Sequence, residues 1–202
     1  TRFNVYFNGN ETYKESLKSM QKDFQDDFTS LVHIHPVSAH SNEKEQKPSG
    51  DFKKPIDKGK KAIQLHSIKK QPKRNPKKAS DPKYKEFLKR EEYNPYIHNA
   101  WFMIGKSQFY QGDFLEAAST FNYITQHFSW LEDLVKESKI WLMRCYTELG
   151  WMYEAEDVKH KISLDSIPKS MEGYLSMVTA QFHINKGEYS DAIPHLKKSI
   201  ES

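Results

Sequence analysis

Three copies of one short pattern constrain this chain more than anything else in it. Gly112-Asp-Phe-Leu-Glu-Ala117, Gly150-Trp-Met-Tyr-Glu-Ala155 and Gly187-Glu-Tyr-Ser-Asp-Ala192 each run from a glycine through four residues ending in an acid to an alanine, at spacings of 38 and 37 residues. Around the first copy, Trp101, Ile104, Gly105 and Gln108 to Phe109 recur at helical spacing. The run breaks at Gly112 and resumes with Phe114, Ala117, Ala118, Phe121 and Ile124. The spacing predicts two antiparallel helices, with Gly112 in the turn, Asp113 as N-cap of the second, and Gly105 and Ala117 as the small residues where they touch. One such hairpin leaves an apolar face bare, and stacking further copies covers it.

The pattern resembles the tetratricopeptide repeat, a helix-turn-helix unit of about 34 residues. The resemblance implies an all-α solenoid with repeats over about 94–129, 131–163 and 168–202. Gln108 stands where the family carries an aromatic, and Met143 where it carries a small residue, so the first two hairpins are expected to splay. The third, with Ala180 facing Ala192, is expected to close.

Upstream, Phe3 to Phe7 followed by Asn8-Gly9-Asn10 reads as a helix end and a turn. Tyr13, Leu17, Met20 and Phe24 then read as a long helix capped by Asn10, so 1–32 forms a hairpin, the second half of a repeat cut at its front. Residues 33–54 lose all periodicity and read as a flexible linker. Its His33, His35 and His40 lack a carboxylate or cysteine at ligand spacing, which argues against a metal site. A short helix over 55–68, with Ile56, Gly59, Ala62, Ile63 and His66 on one face, packs on the first long helix. A second polar, partly disordered insertion covers 69–92.

Charge is unevenly placed. Of the 31 Lys/Arg and 27 Asp/Glu in the chain, 16 basic and 4 acidic residues lie between Lys47 and Arg90, which leaves 15 basic and 23 acidic elsewhere. The basic segment Lys69, Lys70, Lys73, Arg74, Lys77 and Lys78 reads either as a solvated insertion that folds back on the acidic repeats or as a site for an acidic partner, and the alternative function is polyanion binding through Lys47 to Arg90, on envelope polysaccharide for example. Between Lys69 and Arg90 only Tyr84 and Phe87 intervene, and sparse aromatics argue against nucleic acid, whose bases need stacking platforms.

No catalytic, metal or cofactor site is read from the residues. Gly105-Lys106-Ser107 lacks the earlier glycine of a phosphate loop and sits in mid-helix. His127, His160, His183 and His195 fall on different helices, and Cys145 lies on an apolar helix face where a buried packing role is expected. The reading is a non-enzymatic protein-binding scaffold.

In the tetratricopeptide-repeat family the first helix of each hairpin lines a concave groove. Carried over by position, the groove would take Asn99, Phe102, Lys106, Phe109 and Tyr110 from the first repeat. The second supplies Glu137, Ile140, Arg144 and Thr147, and the third Tyr174, Met177, Gln181 and Ile184. Phe109, Tyr110, Tyr174 and Met177 would anchor a partner, while Asn99, Lys106, Arg144 and Gln181 hold its backbone or carboxylates.

A closer resemblance rests on Asn4-Val-Tyr-Phe-Asn-Gly-Asn-Glu-Thr-Tyr-Lys-Glu-Ser-Leu17, Ile63-Gln-Leu-His-Ser-Ile68 and Tyr93-Asn-Pro-Tyr-Ile-His-Asn-Ala-Trp-Phe-Met-Ile-Gly-Lys-Ser-Gln-Phe-Tyr110. These stretches are similar to the amino-terminal region of the PorW/SprE lipoproteins of Bacteroidetes, repeat proteins of type IX secretion and gliding motility. The resemblance implies a fragment of a lipoprotein on the periplasmic face of the outer membrane, its lipid-bearing cysteine upstream of Thr1. It also implies protein partners, PorN or other type IX components, and a role in linking the envelope-spanning machinery to the translocon.

Overall fold

The computed structural model describes residues 4–26, 28, 29, 32, 34 and 50–201. The expected linker therefore lies mostly outside the described residues, as do His33, His35 and His40. The fold is all-α, and among the described residues there is no strand. Its helices are α1 (Asn4–Asp23), α2 (Lys53–His66), α3 (Pro82–Phe87), α4 (Ile97–Gln111) and α5 (Phe114–His127). They continue with α6 (Glu132–Glu148), α7 (Met152–Ser163), α8 (Lys169–Asn185) and α9 (Tyr189–Glu201).

The three glycines do what the pattern predicts. Gly112, Gly150 and Gly187 have φ of 91°, 72° and 78°, a left-handed conformation that costs any residue with a Cβ. Each closes its helix in the same way. The glycine N–H returns to the carbonyl three residues back, and the next N–H to the carbonyl five back: Asp113 to Gln108 at 2.9 Å, Trp151 to Tyr146 at 2.9 Å, and Glu188 to His183 at 2.9 Å. The alanine of each copy is buried at the start of the returning helix. Asp113 holds the N-cap position of α5, but its side chain accepts no capping bond there.

The resulting hairpins α4–α5, α6–α7 and α8–α9 pack in series, α5 against α6 and α6 against α8. Their interior is continuous from Tyr13 to Phe182. Phe109, Phe121, Ile140, Met143 and Phe182 are fully buried, each contributing about 1.5–3 kcal/mol of transfer free energy. Gly105 meets the ring of Phe121, where a Cβ would sit 2.9 Å from ring carbons, so this ring presses on the space the glycine leaves. Gln108 turns its unusual position to use by accepting a 2.7 Å hydrogen bond from Thr120 across the hairpin. Ala180 and Ala192 are both buried, and the α8–α9 contact is the most extensive among the described residues.

Two expectations need correction. The first is the amino-terminal hairpin with its Asn8-Gly9 turn and Asn10 cap. Helix α1 runs through Asn8, Gly9 and Asn10 without a break. Gly9 is buried where a Cβ would fall 2.9 Å from Lys58 Cβ and from Met103 Cε, so it permits close approach and makes no turn. The partner of α1 is α2. These two pack on each other, and α2 then packs on α4 as α5 does on α6. The entry to α2 even repeats the motif, since Gly50-Asp51-Phe52 matches Gly112-Asp113-Phe114, and Gly50 also has positive φ, 133°. A fourth hairpin thus precedes the other three, with a long insertion between its two helices.

The second is the disordered insertion over 69–92, which instead folds. Buried Glu92 ties its ends together, accepting from the Ser67 hydroxyl (2.5 Å), Ile68 N (2.8 Å), Tyr93 N (3.0 Å) and Asn94 N (2.8 Å). Tyr93 N also donates to Ile68 O at 2.9 Å. Inside the loop stand a 3-10 turn at Pro76–Lys78 and helix α3, each opening on a side-chain cap, with Asn75 Oδ1 accepting from Lys77 N and Asp81 Oδ1 from Lys83 N. Tyr84, Phe87 and Tyr93 form a ring cluster beneath, and Tyr84 Oη accepts from Asn75 N.

Candidate partner-binding face

Helices α4, α6 and α8 bring Phe109, Tyr110, Arg144 and Tyr174 together, as the repeat phase predicts, but as a closed cluster and not an open groove. Arg144 is 1% exposed. Its guanidinium carbon lies 4.2 Å from the Phe109 ring centroid, 4.7 Å from Trp141, 5.5 Å from Tyr110 and 5.9 Å from Tyr174. Ring faces attract a desolvated cation, more so away from water. Nη1 donates to the Tyr174 hydroxyl at 3.1 Å, and the Tyr110 hydroxyl is a further hydrogen-bonding neighbour of the guanidinium. Nε and Nη2 have no partner among the described residues. A buried charged donor left unmet is costly, so the cage is built around a cation whose hydrogen bonding is unfinished.

The cage continues onto α1 and the entry to α2. Phe52, buried, stacks on Tyr110 at 5.6 Å and meets Tyr13 edge-on at 6.2 Å. Lys106 lies over the rings of Phe102 (4.8 Å) and Tyr13 (5.1 Å). Burial lowers the Lys106 pKa and raises that of Glu137 on α6, while the two charges, facing each other, partly offset both shifts. Burial likewise pushes the Tyr13 and Tyr174 hydroxyls up, so both remain neutral donors.

The carried-over positions thus divide. Phe102, Phe109, Ile140, Arg144, Thr147 and Gln181 are buried, which corrects the expectation that they line an open groove. Helical offset sets the face a residue points from. It does not show that α1 and Phe52 close over that face or that aromatic rings fill it. Gln181 is held by Asn185 (Nε2 to Oδ1, 2.5 Å) and accepts from Ile34 N at 3.4 Å. Asn185 in turn donates to Thr147 O at 3.1 Å. Asn99 is half-buried at the start of α4, about 16 Å along the helix axis from Tyr110. Tyr110, Tyr174 and Met177 keep partial exposure. Tyr174 and Met177 line a cleft of about 350 Å³ with Lys169, Ser170, Gly173 and Ser199, so the ring that bonds Arg144 also faces solvent.

The basic positions Lys69, Lys70, Lys73, Arg74, Lys77 and Lys78 are all exposed on the folded loop. Gly105-Lys106-Ser107 lies inside α4, its backbone committed to the helix. Cys145 is fully buried, and burial pushes its thiol up, which makes it unreactive.

The histidines, though on separate helices, are not all apart. His183 and His195 stack at 5.6 Å with ring planes 7° from parallel. His183, Glu188 and Asp191 present ligand atoms within 4.8 Å of one another. However, Lys186 holds Glu188 at 2.9 Å and Lys159 Nζ stands 3.4 Å from His183 Nε2. Glu188 is shared between His183 Nδ1 at 2.8 Å and the Lys186 ammonium, so the set reads as an ion-pair network between α7, α8 and α9.

Sequence reading missed Tyr13, Phe52, Trp141 and Glu92. The repeat of Gly50-Asp51-Phe52 was the available signal for Phe52; nothing local marked Glu92. Among family models none matches this chain, and no curated protein matches it either.

Proposed function

We propose that the chain is a non-enzymatic protein-interaction scaffold of tetratricopeptide type, whose partner docks on the face shared by α1, α4, α6 and α8. The supporting observation is Arg144, caged by four rings with two donor nitrogens, Nε and Nη2, unmet among the described residues. A partner carboxylate supplies what those donors lack, in the bidentate geometry a guanidinium favours. Tyr174 both bonds Arg144 and lines the cleft beside Met177, so a partner seated in that cleft reaches the guanidinium once the Tyr174 side chain swings aside.

The resemblance of the opening stretch and of Tyr93 to Tyr110 to PorW/SprE lipoproteins supports a more specific reading. On that reading the chain is an adaptor of the type IX secretion and gliding machinery at the periplasmic face of the outer membrane, and PorN or another component of that machinery is the partner. The test is retention of purified type IX components on immobilised chain at low and high salt. One arm uses unchanged chain; the other carries Gln at Lys69, Lys70, Lys73, Arg74, Lys77 and Lys78. Retention of PorN by both at high salt is expected. Loss of retention with the basic positions places binding on the loop and ends the reading.

A further inference from the structure

The folded basic loop offers a second site, independent of the first. Within 69–92 stand ten Lys/Arg and four Asp/Glu, and the acids are largely spent inside the structure. Glu92 is buried as the latch; burial would raise its pKa, but the Ser67 hydroxyl, the N–H groups of Asn94 and Ile68, and nearby Lys69 outweigh this and hold it below the ordinary range. Asp81 caps α3, and Glu91 pairs with His127. Only Glu86 is left to face the cations. Lys69 reaches Glu92 at 3.8 Å and Arg90 lies 4.5 Å over the Trp130 ring. Among the described residues, Lys70, Lys73, Arg74, Lys77, Lys78, Lys83, Lys85 and Lys89 make no ion pair with any carboxylate.

Three of these cations converge. Arg74, Lys85 and Lys89 line a cleft of about 500 Å³ together with Gln71, Pro72 and Leu88, and no carboxylate lines it. Its two walls are cross-linked, since Gln71 Nε2 donates to Leu88 O at 2.8 Å and Tyr93 Oη to the same carbonyl at 3.0 Å. Tyr84 ties Asn75 to α3 at 2.8 Å. The loop is therefore ordered before any ligand arrives, which removes the entropy cost that weakens most flexible basic tails.

We infer that the Arg74–Lys85–Lys89 cleft binds a phosphate-bearing group, either an anionic lipid headgroup or a soluble phosphate ester. An arginine fork with two point-charge ammonium groups matches a tetrahedral, multiply charged oxyanion. The loop's aromatic rings are half-buried and packed on one another, Phe87 between Tyr84 and Tyr93, and none of them lines the cleft, so the phosphate and not a base carries the recognition.

The test measures binding of inorganic tripolyphosphate by calorimetry, and of phosphatidylglycerol-containing against pure phosphatidylcholine vesicles by co-sedimentation, at fixed ionic strength. Replacing Arg74, Lys85 and Lys89 together by Gln, all exposed and free of buried contacts, is expected to weaken binding by about tenfold or more, whereas the same charge loss at Lys53, Lys60 and Lys61 on α2 changes it about twofold at most. Equal losses in the two variants would mean diffuse attraction and overturn the site.

Glu92→Ala separates the alternatives by sign. Removing an acid strengthens a purely electrostatic attraction, while releasing the latch of a preorganised cleft weakens it, and weakening is expected with helical content unchanged. Stronger binding overturns the inference, as does absence of binding to both probes, or affinity for single-stranded oligonucleotides that grows with their length. Vesicle binding lost in the cleft variant identifies a headgroup; tripolyphosphate binding alone identifies a soluble ligand.

Discussion

Arg144 on α6 and Tyr174 on α8 are joined by a hydrogen bond, 3.1 Å long, from Nη1 of the buried guanidinium to the ring hydroxyl, while Nε and Nη2 have no partner among the described residues. The bond crosses the boundary between the second and third hairpins, so the unfinished polar group and the interhelical packing share the same atoms.

Tyr174→Phe removes the 3.1 Å bond to the guanidinium, leaves only the Tyr110 hydroxyl beside it among the described residues, and is expected to cost about 1.5–3 kcal/mol, the range for hydrogen bonds to charged groups. Arg144→Met removes the charge and keeps the volume, and replacing buried charge by apolar atoms is often neutral or stabilising. Thermal unfolding checks the order: Arg144→Met at or above the unchanged chain, Tyr174→Phe below both. A residue kept for stability alone would give the reverse order.

Gly105→Ala and Gly112→Ala fail for different reasons. At 105 the new methyl runs into Phe121 at 2.9 Å, an overpacking cost of about 1–3 kcal/mol. At 112 there is nothing within 4 Å, but φ of 91° remains, and the left-handed strain costs about 1–2 kcal/mol. Denaturant melts of Gly112→Asn, which tolerates that backbone, should recover part of the second loss; Gly105→Asn should recover none of the first.

Pro194 lies inside α9, where it offers no N–H to the Ser190 carbonyl. Pro194→Ala is expected to raise stability by about 1–3 kcal/mol, since an interior proline costs about 3 kcal/mol relative to alanine. A higher melting temperature without change in helix packing is the readout.

Burial lowers the pKa of His98 and of His195, the latter with help from His183, Lys159 and Lys198. A depressed folded-state histidine binds fewer protons than its unfolded counterpart, so stability rises with pH across the interval between the two pKa values and is lost as pH falls below the ordinary histidine range. Melting temperature should therefore drop from pH 7.5 toward pH 5, and His195→Asn should flatten that dependence. An unchanged slope in His195→Asn would contradict the assignment.

The parts of the fold that were legible in the sequence are those set by backbone geometry. Gly112, Gly150 and Gly187 announce themselves because few other residues accept their φ, and the alternation of apolar positions around them gives α4 to α9. Where a signal has two physical meanings, sequence reading chose the local one. Asn8-Gly9-Asn10 has the composition of a turn, yet Gly9 is small because Lys58 and Met103 press on it. Residues 69–92 have the composition of a disordered tract, yet four hydrogen bonds to one carboxylate close the loop. The helical face of Arg144 and Tyr174 was readable, but their enclosure by Tyr13 and Phe52 depends on a hairpin whose halves stand far apart in the chain.

The most direct test of the proposed partner-binding face is a titration of purified PorN, the proposed partner, against the unchanged chain, Arg144→Met and the loop variant with Gln at Arg74, Lys85 and Lys89. The account predicts that Arg144→Met, though fully folded, loses about tenfold or more in affinity, in keeping with removal of a charge-assisted bidentate contact, while the loop variant binds as the unchanged chain does. Undiminished binding by Arg144→Met would contradict it and leave the cage as packing alone.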